Sequence, residues 1–116
     1  MPDQVGSIWN REAQIDVAGI NTMEKTLILG ECKWDRHPID LGVLTGLVDK
    51  TEKVVPKEGN WRVYYLGFAR SGWTQAAQAF SESLPKARLK GENWHAVGML
   101  LKDLNQVDSD LNEWTA

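Results

Sequence analysis

Three residues in the first third of the chain carry side chains that can do chemistry together: Asp16, Glu31 and Lys33. Glu31 and Lys33 are two apart in the run TLILGECKW (26–34). In an extended segment they therefore share a face with Leu27 and Leu29, while Gly30, Cys32 and Trp34 take the other. Asp16 stands between Ile15 and Val17 in QIDVAGI (14–20) and takes the face opposite to both. Charge on a partly buried sheet face is costly unless it is paired or binds a metal. Two carboxylates can chelate a hard divalent cation such as Mg²⁺, which favours oxygen ligands and keeps several waters. Such a metal polarises a phosphoryl oxygen and lowers the pKa of a bound water. A neighbouring lysine can orient that water or stabilise the developing charge. The combination suits phosphodiester cleavage. The same residues also read as a cross-strand ion pair on a solvated face, which contributes little.

The elements that must position these residues follow from periodicity. Residues 5–9 and 14–20 read as strands, NTMEK (21–25) as a five-residue polar loop, and 26–34 as the second arm of an antiparallel hairpin. After Pro38 the period changes. Leu41, Leu44, Leu47 and Val48 recur at helical spacing, extending toward Thr51, Val54 and Val55, with Asp40 at the N-cap and residues 57–60 as the end of the helix. The aromatic and β-branched run 61–69 predicts a buried strand, and the intervening helix makes it parallel to 26–34. A second helix starts near Thr74 with Ala76, Ala77, Phe80 and Leu84 on its apolar face, and ends at Pro85 or continues past it. Residues 96–101 read as a further strand and 105–114 as a short acidic terminal helix. The order β-β-β-α-β-α-β-α predicts an α/β fold, a mixed sheet flanked by helices.

The pattern Ile-Asp-Val (15–17), then Gly-Glu-Cys-Lys-Trp (30–34) after a gap, resembles the core of the PD-(D/E)XK, or restriction-endonuclease-like, nuclease superfamily. More narrowly, it is similar to the nuclease-like C-terminal domain of archaeal-type DEXX-box ATPases. That family carries a similar ECKW and a later strand ending in a Ser-(Arg/Lys)-Ser-Gly-Phe-Thr type turn; here the corresponding stretch is Phe68-Ala-Arg-Ser-Gly-Trp-Thr74. The resemblance spans roughly residues 8–114. It implies that Asp16 and Glu31 ligate Mg²⁺ or Mn²⁺, that the backbone carbonyl of Cys32 completes the metal site, that Lys33 helps activate the attacking water, and that DNA is the substrate. Nucleases of this superfamily usually place an acidic helix before the first strand. Here the chain starts almost at that strand, and Glu12, roughly 13 Å along a strand from Asp16, is too far to replace the missing carboxylate. Residues 1–116 thus read as a single nuclease-like domain, a fragment lacking the first helix of the fold. The resemblance also implies the ATPase domain, of the same or a longer chain, as a partner.

Other residues offer weaker chemistry. The turn 69–74 follows a strand and opens a helix, a geometry that can present backbone N–H groups to an anion or simply cap the helix through Ser71 or Thr74. Arg70 and Ser71 are the substrate candidates there. Lys86, Arg88 and Lys90 alternate, as on one exposed face, and read either as a solvated charge run or as a DNA backbone contact. Cys32 is expected to pack as a small thiol into a core. His37 and His95 have no partner at metal-ligand spacing, although His37 follows the motif closely enough for a phosphate or water contact. Trp34, Trp61 and Trp94 are expected in the core or at the sheet edge, and Trp73 and Trp114 at an exposed contact.

Composition bounds the rest. The chain has 116 residues, 42% hydrophobic and 25% charged, which excludes a disordered tail, and its one cysteine excludes a disulfide scaffold. No apolar run approaches the roughly 20 residues of a membrane helix, and the first ten residues lack the basic and apolar regions of a signal peptide. The lone Cys32 fits a reducing, cytoplasmic setting. A net charge of −3 confines any nucleic-acid contact to a local patch. No Gly-rich loop ends in Lys-Ser/Thr, so ATP hydrolysis belongs to another module. The stretch 103–113 holds four carboxylates and no Lys or Arg, which suits a protein partner better than DNA. Two functions thus stand: a metal-dependent DNA nuclease, and a catalytically inactive nuclease-fold module that mediates protein interaction or regulates the ATPase. Self-association is a further alternative.

Overall fold

The computed structural model describes residues 4–9, 14–87 and 89–106, with side chains from residue 18 onward except at Pro85. The elements are β1 (Gln4–Trp9), β2 (Gln14–Asn21), β3 (Thr26–Lys33), α1 (Leu41–Val54), β4 (Trp61–Ala69), α2 (Gln75–Ala87) and β5 (Trp94–Asp103). They form one five-stranded sheet in the order β1-β2-β3-β4-β5. The first three strands pair antiparallel, and β3, β4 and β5 run parallel. The mixed α/β sheet expected from the sequence is therefore present.

The strand order fixes where the helices go. With parallel neighbours in sequential order, two right-handed crossovers put both helices on the same side of the sheet. Leu47 of α1 and Leu84 of α2 accordingly enter one core with Leu27, Leu29, Trp61, Val63 and Tyr65. Leu44 and Ala77 meet Ala69 and Trp73 in an adjoining cluster. Alternation along β4 shows the same asymmetry: Trp61, Val63, Tyr65, Gly67 and Ala69 are buried on the helix side, while Arg62 and Tyr64 are exposed on the other. Among the described residues, no helix covers that second side.

Both helices start at the carboxyl end of the parallel strands, and their caps are joined. The Asp40 carboxylate accepts from the Leu41 backbone N–H at 2.8 Å and from the Thr74 hydroxyl at 2.7 Å. The same Thr74 hydroxyl oxygen accepts from the N–H of Ala77, capping α2. Gly72, at φ 87°, turns the chain between them, and its carbonyl accepts from the N–H of Ile39 at 2.9 Å. Two residues from each of two distant loops, Ile39 and Asp40 on one and Gly72 and Thr74 on the other, thus lock α1 to α2.

Several details differ from the sequence reading. The β2–β3 turn has four residues, because Asn21 and Thr26 pair, and Lys25 supplies its positive φ. Helix α1 stops at Val54, ahead of Pro56, rather than at 57–60. Helix α2 continues through Pro85 to Ala87, and Ala76 is exposed. Beyond Gln106, the expected terminal helix lies outside the described residues, as does Trp114.

Candidate functional site

Glu31 lies near the carboxyl end of β3, where the strand's apolar side, Leu27 and Leu29, turns polar. It is only 6% exposed and is the one buried carboxylate among the described residues. Two ammonium groups face it. Lys50 Nζ donates to Oε1 at 3.0 Å, and Lys33 Nζ stands 3.9 Å from Oε2. The shared face of Glu31 and Lys33 follows from strand alternation. Lys50 was not singled out in the sequence, although it falls three residues after Leu47 and one before Thr51. Those two are buried on α1, so Lys50 sits at the margin of the buried stripe, where its stem reaches the sheet.

Asp16 belongs to β2, next to Val17, and Val17 is the register partner of Gly30, the residue before Glu31. The backbone therefore brings Asp16 and Glu31 to neighbouring positions on adjacent strands; the Asp16 side chain lies outside the description. On the other flank, Gly67 is the register partner of Glu31. A Cβ at Gly67 would lie 2.7 Å from the Trp73 ring and 2.8 Å from Leu101, so the missing side chain makes room for the indole. Trp73 is buried there and donates its Nε1–H to the carbonyl of Lys102 at 3.2 Å, so it walls the site instead of forming an exposed contact. Behind Glu31, the hydroxyls of Thr51 and Tyr65 lie 2.6 Å apart in the core. Burial pushes the Tyr65 hydroxyl up to about 12 against the opposing effect of this hydrogen bond.

Cys32 corrects an expectation. It is exposed, because the side of β3 opposite Glu31 carries no helix among the described residues. Trp34, expected in the core or at the sheet edge, is 68% exposed and stacks on Phe68 with ring centroids 6.2 Å apart. Arg70 lies over the Trp34 ring at 5.3 Å. In the turn that follows, the N–H groups of Arg70, Gly72 and Thr74 donate to the carbonyls of Lys33, Ala69 and Ile39. The Ser71 hydroxyl donates to the carbonyl of Asp35 at 2.7 Å. This turn is built as a tie between two loops. Lys86 lies in the last turn of α2, while Lys90 pairs with His95 through a backbone β-bridge, so the alternating basic run is divided between a helix and a loop; Arg88 lies outside the described residues. His37 and His95 are both exposed.

The chemistry of the donors bears on a divalent cation. Among the described residues there is no cluster of three His, Cys, Asp or Glu side chains that could hold a metal. Glu31 does attract positive charge, since Lys50 already sits on Oε1. A metal at that oxygen has to displace the ammonium, and needs the Asp16 carboxylate as a second hard ligand.

Residues 1–53 match the DUF234 family model, whose description is archaeal and bacterial proteins of unknown function. The matched stretch contains β1, β2, β3 and nearly all of α1, and so includes Asp16, Glu31, Lys33 and Lys50. No curated protein and no solved structure matches the chain. No helix among the described residues is long and apolar enough to cross a membrane.

Proposed function

We propose that this chain is a nuclease-like domain of a DEXX-box ATPase, with Asp16, Glu31 and Lys33 as its metal-dependent phosphodiester-cleaving site. The observation that carries the reading is Glu31, a buried carboxylate with Lys33 beside it, at the carboxyl end of three parallel strands. That end is where open parallel sheets put their ligands. The match of residues 1–53 and the Gly-Glu-Cys-Lys-Trp and Arg-Ser-Gly-Trp-Thr motifs support it.

In this reading Asp16, Glu31 and the Cys32 carbonyl hold Mg²⁺ or Mn²⁺, which when bound supplies Lewis acidity and an acidified water. Lys33, on the more exposed flank of Glu31, faces the incoming phosphodiester and stabilises charge on its oxygens. Lys50 orients Glu31 through its hydrogen bond to Oε1. Trp73 excludes water from the inner wall.

The Lys50–Glu31 contact at 3.0 Å favours a second reading, in which the ion pair has taken over the metal's role and the domain is an inactive module regulating the ATPase. Calorimetric titration of Mn²⁺ into the intact chain separates the two. The nuclease reading expects saturable binding that Asp16→Asn and Glu31→Gln each abolish while circular dichroism stays unchanged, and Lys50→Met should tighten it. Absence of binding in the folded wild type and in Lys50→Met would leave the inactive module.

A further inference from the structure

One side of the sheet carries no helix among the described residues. All-parallel sheets are covered on both faces by their crossovers, whereas in this mixed sheet both crossovers put their helices on the same side. Among the described residues, β3, β4 and β5 are covered by helices, α1 and α2, on one side only. On the other, Ile28, Tyr64, Leu66, Phe68 and Leu100 line up through the register pairs Ile28↔Tyr64 and Leu66↔Leu100, with Trp34 stacked on Phe68. Leu100 is 55% exposed and Tyr64 37%. A contiguous apolar surface of this kind marks an interaction site.

Within the strands β3, β4 and β5 the charge on this side is one-signed. The two carboxylates of these strands, Glu31 and Asp103, both belong to the helix-side register; Asp103 pairs with buried Ala69. Arg62 and Lys102 pair with His95 and Phe68 in the open-side register, and Arg70 projects over Trp34 at the end of β4. The apolar strip is thus bracketed by Arg62 at one end and by Arg70 and Lys102 at the other. A second copy of this surface would bring like charges together. Leu66 and Leu100 separate Tyr64 from the Trp34–Phe68 stack, so the rings do not form a continuous row on which successive bases stack.

We propose that this open face is the docking site of an amphipathic, acidic α-helix from a partner polypeptide. Its apolar stripe lies along β4 and its carboxylates reach Arg62 and Arg70. The site is on the opposite side of the sheet from Glu31 and does not depend on the nuclease reading.

The test uses the intact chain and two fluorescein-labelled synthetic helices of about 16 residues with the same leucine stripe, one flanked by glutamates and its twin by lysines. Fluorescence anisotropy should show the acidic helix binding at least about tenfold tighter than its twin. Leu100→Asp should abolish binding of both, and the double variant Arg62→Glu, Arg70→Glu should reverse the preference. Circular dichroism of each variant checks that it is folded. Equal binding of the two helices, no binding, or binding that survives Leu100→Asp would overturn the proposal. A labelled oligothymidylate that binds where the acidic helix does not overturns it in favour of nucleic acid. Concentration-dependent dimerisation abolished by Leu100→Asp overturns it in favour of a second copy.

Discussion

A carboxylate buried on a sheet must find a cation, and the Glu31 position was legible for that reason: a Glu following Leu27 and Leu29 at period two cannot be solvated like a surface residue. Which cation answers was less legible. Lys33 is announced by the same alternation, but Lys50 comes from an element 19 residues away and depends on how α1 is rotated against the sheet. The same rotation places Thr51 on Tyr65. That pair makes a pH-dependent contribution of definite sign. The Tyr65 hydroxyl loses its proton at about 10 when unfolded and about 12 when folded. The stability it contributes is therefore complete below pH 10 and is lost as pH rises from about 10 to about 12. Tyr65→Phe should remove this part of the alkaline limb, and at neutral pH should cost about 1–2 kcal/mol, because Thr51 is left buried without its hydroxyl partner. Denaturant titrations of both proteins between pH 8 and about 11 measure both effects.

At the scale of elements, strands were the easier part. The aromatic and β-branched run of β4 and the arms of the β2–β3 hairpin carry their own pattern, and the helix between β3 and β4 forces them parallel. Failures came where tertiary context decides. Trp73 follows a strand in a Gly-containing turn and looks exposed locally, yet it folds back over Gly67, whose missing side chain is what admits the ring. Cys32 and Trp34 lie on the side that carries no helix among the described residues, a fact no local pattern contains. The cap of α1 was legible from Asp40, but its link to Thr74 was not, since 34 residues separate them. The Thr74 hydroxyl and then the Leu41 N–H hold the Asp40 carboxyl below its ordinary value. A lowered carboxyl contributes stability above its unfolded pKa of 3.8, and that contribution is lost as pH falls through the folded value. Asp40→Asn keeps an acceptor oxygen but cannot titrate. Its unfolding midpoint should therefore fall less steeply than that of the wild type below pH 4, with the difference narrowing as acid is added. Thermal unfolding at a series of acidic pH values checks this.

The described residues form a single sheet with α1 and α2 sharing one core, so stability should be distributed by position in the sheet rather than by element type. β3 and β4 are paired on both sides, whereas β1 and β5 form the edges. Leu29 and Tyr65, register partners on those inner strands, are buried against the helices. Their amides should exchange with solvent only through global unfolding, while those of β1 should exchange earlier through local opening. Leu84 of α2 packs in the same core as Leu27, Leu29 and Leu47, although α2 is connected to β4 and β5. If the core is one cooperative unit, Leu84→Ala creates a cavity that every inner strand feels. It should lower the exchange protection of Leu29 and Tyr65 by the same amount, about 2–5 kcal/mol. Loss of protection confined to β4 and β5, at Tyr65 but not at Leu29, would show instead that the hairpin with α1 and the β4-α2-β5 unit open independently. Hydrogen exchange followed residue by residue by NMR distinguishes the two outcomes, because each makes a different statement about amides in strands that Leu84 reaches only through the shared core.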